Sequence, residues 1–120
     1  MEPDQFAERL AIIRKRFAAK LVTRISDTEA ALPTLVGDAP GVAEAVATTH
    51  RCIHELCGIG PTVGFDQTGR AARTVERILL EPSRIGRGLT AAEVDGVRTG
   101  LDALRAAARG DSAAHGFDWE

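Results

Sequence analysis

Apolar residues recur at alternating steps of three and four along four stretches of the chain, which is the spacing of amphipathic helices. The first stretch covers residues 6–35, and Pro33 and Gly37 mark its far end. Because one helix of that whole length would be long for a small domain, we expect a short leading helix and a main one, with a break near residues 10–13. The positions on its inward face are Leu10, Ile13, Phe17, Leu21, Ile25, Thr28, Leu32 and Leu35.

Two further helices are predicted on either side of a glycine-rich segment. The second begins after Asp38, where a capping residue is followed by proline, and runs to about residues 58–63. The third opens at residues 64–66 and stops at Glu81-Pro82, because proline disfavours continuation of a helix. The inward positions are Val42, Val46, Thr49, Ile53 and Leu56 in the second helix, and Phe65, Thr68, Ala72, Val75 and Leu79 in the third.

A fourth helix is predicted to begin at Thr90, which has the capping-box spacing to Glu93, and to end at Gly110. Gly96 and Gly100 lie inside it, where each glycine costs about 1 kcal/mol relative to alanine. A close crossing with another helix would explain them. Its inward positions are Val94, Val97, Leu101, Leu104 and Ala108.

The four helices predict a single all-α domain at residues 1–110, followed by an irregular tail at 111–120. Phe117 and Trp119 are candidates to fold back from this tail onto the bundle. Connections of a few residues favour antiparallel neighbours, so we expect an up-and-down antiparallel four-helix bundle with a short extra N-terminal helix. An apolar content of 44% with only 4% aromatic residues also fits packed helices better than a sheet.

Charge and cysteine content narrow the choice of partners and compartment. A net charge of −2 gives no overall positive field, so neither nucleic acid nor a membrane surface is an expected partner. No apolar run approaches the roughly 20 residues of a membrane span, and the acidic residues 1–4 are unlike a secretory signal. Cys52 and Cys57 would point to different sides of one helix, so we expect free thiols and a cytoplasmic protein.

Candidate chemistry is concentrated at residues 48–65. His50, His54 and Cys57 are spaced so that they share one flank of the second helix, roughly 100° around from its apolar seam. The motif His54-x-Leu56-x-Gly58, followed six residues later by Gly-Phe, resembles the signature of the histidine phosphotransfer (HPt) domains of bacterial phosphorelays. The resemblance is strongest over residues 50–80, and the helix layout extends it over about 1–109.

The resemblance implies that His54, half exposed on the second bundle helix, accepts a phosphoryl group. The group would arrive from an aspartate of a response-regulator receiver domain or from a sensor or hybrid histidine kinase, and would leave to another receiver aspartate. Magnesium would be bound by the receiver, with no cofactor on this chain. The sequence has no glycine-rich nucleotide cradle of a kinase, so we expect a monomeric phosphocarrier without kinase activity of its own.

Gly58 and Glu76 are predicted to assist His54. Without a side chain, Gly58 would let the partner's backbone approach the phosphoryl group one helical turn from His54. Glu76 would accept a hydrogen bond from one ring nitrogen and leave Nε2 as the nucleophile. In some HPt domains, a glutamate at the matching offset has this role. The alternative is a solvated Glu76 that pairs with Arg73 or Arg77.

Three positions depart from the family pattern. Cys57 stands where most members have lysine or arginine, so the cation beside the phosphate would come from Arg51, Arg70, Arg73 or the partner. Pro61 predicts a kink or an end of the second helix just beyond the site. His50 is either another acceptor, an accessory base, or a partly exposed helix histidine with no special role.

Two other functions remain open at this stage. His50, His54 and Cys57 could bind zinc, although a structural zinc site needs four ligands and the other candidates are Cys52 and His115. Redox sensing through Cys57 is related chemistry.

Alternatively, the chain could be an adaptor bundle that docks a receiver or kinase and transfers no phosphate. The arginines that could border such a docking face are Arg70, Arg73, Arg77, Arg84 and Arg87.

Overall fold

The computed structural model describes residues 3–119, so residues 1, 2 and 120 of the predicted domain and tail lie outside the described part of the chain. It contains four α-helices packed together, and within these residues there is no β-strand. The all-α prediction is therefore confirmed. The helices are α1 (Pro3–Ala31), α2 (Val42–Thr62), α3 (Asp66–Ile85) and α4 (Ala91–Ala114), with a 3-10 helix at Leu32–Leu35.

The core is formed by the predicted apolar faces. All four helices contribute fully buried residues, and Phe65 fills the space where the turn between α2 and α3 meets α1 and the C-terminal segment. Its ring contacts Phe17 edge-on, with the ring centroids 5.2 Å apart. The largest fully buried side chains of the helices are Leu21, Ile25, Val46, Ile53, Leu56, Val75, Leu79, Leu101 and Leu104.

Helix α1 is continuous, so the expected break near residues 10–13 and the separate N-terminal helix are wrong. No proline or glycine occurs between Asp4 and Ala31, and alanine, leucine, arginine and lysine favour an uninterrupted helix. The apolar face is buried only from Phe17 onward. Leu10 is half-buried and Ile13 is 47% exposed, because the first turns of α1 extend beyond the packed part of the molecule.

Several predicted helix ends are also wrong. The N-cap of α2 is Gly41, at φ 90°, rather than Asp38. Helix α3 continues past Pro82 to Ile85, and the Pro82 carbonyl then accepts hydrogen bonds from the backbone N–H groups of Gly86 and Arg87. A proline in the last turn removes one helical hydrogen bond without preventing that turn from forming.

Helix α4 continues four residues past Gly110, because Asp111 and Ser112 are buried rather than part of a loose tail. The Asp111 carboxylate accepts hydrogen bonds from the backbone N–H and the hydroxyl of Thr68, both at 2.8 Å. This contact supplies a cap that the first turn of α3 otherwise lacks. Phe117 and Trp119 pack against the core, as the sequence had suggested.

Close helix crossings account for several of the glycines inside helices. A Cβ atom at Gly100 would lie 2.7 Å from the Val75 side chain, which confirms the predicted close crossing and shows that its partner is α3. A Cβ atom at Gly69 would lie 2.8 Å from the ring of Pro61, so α2 and α3 also approach closely near their connecting turn. Helix α2 ends at Thr62, directly after Pro61, as predicted. The capping box of Thr90 and Glu93 is present as well.

None of the helices in residues 3–119 combines the length and apolar character that crossing a membrane requires.

Candidate functional site

The candidate site lies where α2 and α3 face each other, two turns before α2 ends. The Nδ1–H group of His54 donates a hydrogen bond to Oε2 of Glu76. The His54 side chain is 67% exposed and the Glu76 side chain only 18% exposed. A carboxylate can only accept, so this contact puts the proton on Nδ1 and leaves the lone pair on Nε2. The structure thus brings together the two residues predicted to interact.

Glu76 has further neighbours on α2. Its Oε2 atom lies 3.7 Å from Nε2 of His50, and its Oε1 atom lies 3.7 Å from Sγ of Cys57, within the range for a thiol hydrogen bond. No ion pair between Glu76 and Arg73 or Arg77 occurs in the described part of the chain. Glu76 is therefore held against α2 rather than solvated.

Cys57 is 5% exposed, so it is buried beneath the flank where the sequence had located it. Burial raises the pKa of its thiol to about 11, and the nearby Glu76 carboxylate adds to this rise. The positive charge of Arg73 opposes the rise. At neutral pH Cys57 is thus a neutral donor and lacks the thiolate that redox chemistry requires.

His50 is less accessible than His54, with a side chain that is 20% exposed. Its ring stacks on that of His54, with centroids 6.1 Å apart and planes at 22°. The Nε2 atom of His50 is buried and has no hydrogen-bond partner among the described residues. Because this nitrogen faces Glu76 rather than solvent, the geometry favours His54 over His50 as a nucleophile.

The surface beside His54 is open. Gly58 is exposed, and a Cβ atom built there would meet nothing within 4 Å. The packing of this chain therefore gives no reason for a glycine at that position. Four exposed arginines on the same two helices have no ion pair within residues 3–119, and they are Arg51, Arg70, Arg73 and Arg77.

Arg84 and Arg87, also suggested as part of a docking face, are already engaged. Arg84 pairs with Glu81 at 3.0 Å, and Arg87 forms two hydrogen bonds with Glu93, at 2.8 and 3.0 Å. Hydrogen bonding from Arg87 lowers the pKa of Glu93 to about 2. Arg84 therefore pairs within the last turns of α3 and Arg87 pairs with the first turn of α4, so neither contributes an unpaired cation to the surface around His54.

The remaining ligands suggested for a metal site do not join His50, His54 and Cys57. Cys52 lines a cleft between α1 and α2, and His115 contacts the turn between α2 and α3. Residues 3–119 contain no group of three or more histidine, cysteine, aspartate or glutamate side chains arranged to hold a metal ion.

Sequence reasoning missed how the turn after the site is held. Arg14 donates from Nε to the carbonyl of Val63 at 2.9 Å, and His115 donates from Nε2 to the carbonyl of Gly64 at 2.8 Å. Both contacts join residues about 50 positions apart, which local patterns cannot reveal. The apolar period of α4 gave no signal for these contacts, because the buried positions that follow Ala108 are the polar residues Asp111 and Ser112.

The site therefore offers one accessible imidazole whose second nitrogen is bound to a half-buried carboxylate, beside an open surface with several cations. Such an arrangement suits a nucleophile that a large partner must reach. No model of a known protein family, no curated protein and no solved structure matches this chain.

Proposed function

We propose that this chain is a histidine-containing phosphotransfer protein. Nε2 of His54 accepts a phosphoryl group from a receiver aspartate or a histidine kinase and passes it to another receiver aspartate. The observation that carries the proposal is the hydrogen bond from Nδ1 of the exposed His54 to the half-buried Glu76. This contact leaves a free lone pair on the accessible nitrogen.

Glu76 also suits the product of the transfer. The Nε2 lone pair bonds to phosphorus while the P–O bond of the receiver's aspartyl phosphate breaks, and the aspartate leaves as a carboxylate. The ring then carries a proton on Nδ1 and the phosphoryl group on Nε2, so it is cationic. The Glu76 carboxylate faces that charge, and the hydrogen bond strengthens as the charge develops.

The surface around His54 supports docking of a receiver. Gly58 leaves room for a partner's backbone one turn from the imidazole. The receiver supplies Mg²⁺ and the in-line geometry of the transfer. Arg73, whose charge acts on the Cys57 thiol, provides the cation that the thiol cannot, and Arg51 and Arg70 are further candidates.

The proposed carrier is an up-and-down antiparallel four-helix bundle in the cytoplasm. In support, the connections between α2 and α3 and between α3 and α4 span only residues 63–65 and 86–90, and short connections favour antiparallel neighbours. Both cysteines are free, which fits a reducing compartment.

The test is incubation of the purified chain with phosphorylated receiver domains, followed by measurement of acid-labile, base-stable phosphate on the chain. We expect uptake by the wild type and by His50→Gln, and none by His54→Gln. Circular dichroism checks that each variant is folded. Uptake that survives the loss of His54 would overturn the assignment.

A second candidate function is an adaptor that docks a receiver without accepting phosphate. The buried, neutral Cys57 favours it, because this position carries no cation for the phosphoryl oxygens. Receiver binding that is equal in the wild type and His54→Gln, with no phosphate on either, would establish the adaptor.

A further inference from the structure

The Glu76 carboxylate is approached by three side chains of one helix flank. Oε2 lies next to Nδ1 of His54 and 3.7 Å from Nε2 of His50, while Oε1 lies 3.7 Å from Sγ of Cys57. A carboxylate oxygen has two lone pairs, so Oε2 can interact with both imidazoles at the same time.

The protonation of His50 follows from its surroundings. Its Nε2 atom is buried, and no hydrogen-bond partner for it exists among residues 3–119. A ring nitrogen that faces a carboxylate is favourable as an N–H group and unfavourable as a lone pair. His50 therefore presents Nε2–H to Glu76, over a distance longer than a hydrogen bond but short for an electrostatic contact.

We propose that His50 is a positioning residue, whose Nε2–H group holds the Glu76 carboxylate in the orientation that accepts from Nδ1 of His54. This inference rests on the proposed function of His54. Without the donor on His50, Glu76 would be held from α2 only by His54 itself and by the weak thiol donor of Cys57. If the carboxylate rotated away, it would no longer favour the Nδ1–H tautomer of His54. In part of the molecules the ring proton would then lie on Nε2 instead of Nδ1.

The effect of the N–H donor of His50 can be separated from the effect of its ring by two substitutions. His50→Gln keeps an N–H donor at about the same reach and removes the ring. His50→Phe keeps a ring that can stack on His54 and removes the donor. If His50 acts only through packing, His50→Phe is the milder change, whereas positioning through Glu76 makes His50→Gln the milder one.

The first measurement is the tautomer of His54, read from the ring nitrogens by NMR of the unphosphorylated protein. We expect the proton on Nδ1 in the wild type and in His50→Gln. In His50→Phe we expect a mixture in which Nε2 also carries the proton. An unchanged His54 tautomer in His50→Phe would overturn the proposal.

The second measurement is the rate of phosphotransfer from a phosphorylated receiver. We expect His50→Phe to lower the rate roughly two- to tenfold, because the molecules with the proton on Nε2 of His54 lack the nucleophile, and His50→Gln to change it less. Equal losses in both variants would assign the effect to the ring and reject the donor. A wild type that takes up no phosphate would reject the proposed function, while the tautomer would still decide the role of His50.

Discussion

His54 and His50 lie one helical turn apart, yet their side chains are 67% and 20% exposed. The difference arises because α2 is rotated so that His50 points toward α3 while His54 lies at the rim between the two helices. Only the residue at the rim can contact both a buried carboxylate and a partner protein. Accessibility and orientation are thus combined in a single side chain.

Glu76→Gln should slow phosphotransfer roughly ten- to hundredfold, because a charge-assisted hydrogen bond contributes more than a neutral one. The amide can still contact Nδ1 but does not balance the cationic ring of the product. The rate is measured from a phosphorylated receiver, with thermal unfolding as the control for folding. A rate equal to that of the wild type would remove the role of Glu76.

Gly58→Ala should stabilise the protein by about 0.5–1 kcal/mol, because Gly58 lies inside α2 with open space around its Cα. A bulky side chain in Gly58→Leu should nevertheless lower the transfer rate, since it stands one turn from His54. Gly110 is the matched control, because it also lies inside a helix with nothing near a built Cβ. Urea unfolding and the transfer rate are the two measurements.

We expect Gly110→Ala to stabilise the protein about as much as Gly58→Ala does. Gly110→Leu, unlike Gly58→Leu, should leave the transfer rate unchanged. Equal effects of leucine at both positions would show that the surface beside His54 is not used for docking.

At the scale of elements, the start of α4 is held by charge. Glu93 receives hydrogen bonds from Arg87 and from the backbone of Thr90, and its pKa is lowered to about 2 from an ordinary value of 4.5. A carboxyl with a lowered pKa stabilises the folded state above its unfolded pKa and loses that contribution as the pH falls. The loss should therefore occur between about pH 4.5 and 2.

Glu93→Gln should make the free energy of unfolding less dependent on pH across this range. Asp95→Asn is the control, because Asp95 lies on the same turn with a largely exposed side chain. Urea unfolding at pH 5 and pH 3 gives the comparison. A pH dependence in Glu93→Gln as steep as that of the wild type would contradict the expectation.

Helix existence could be predicted from sequence, whereas several helix ends could not. Ile53, Val75 and Leu101 each belong to an apolar series with helical spacing in their own helix, and that period is enough to define a buried face. The continuation of α4 to Ala114 depends on the contact of Asp111 with Thr68, which lies 43 residues away. Such ends are decided by packing between elements rather than by local residue preferences.

The same distinction applies to the site. The contact of His54 with Glu76 could be predicted from the motif and from the positions of both residues on the facing flanks of their helices. The burial of Cys57 and the inward direction of His50 were not, because they depend on the rotation of α2 about its own axis against α3. A small change in that rotation exchanges exposed and buried positions on a flank.

At the scale of the whole molecule, Asp111 joins the last turns of α4 to the first turn of α3. Asp111→Ala should destabilise the protein by about 2–4 kcal/mol, because it leaves the buried N–H and hydroxyl of Thr68 without their acceptor. Urea unfolding measures the loss. Asp118→Ala, at an exposed position of the same C-terminal segment, should have little effect.

Arg14 of α1 and His115 at the end of α4 both reach the backbone of the turn at residues 63–64. A purification tag or a fluorescent fusion that displaces either side chain would therefore alter the loop that follows the His54 imidazole. Differences in phosphotransfer rate between differently tagged preparations would then be caused partly by the tag. Removing it with a protease before any kinetic experiment is the practical consequence of this arrangement.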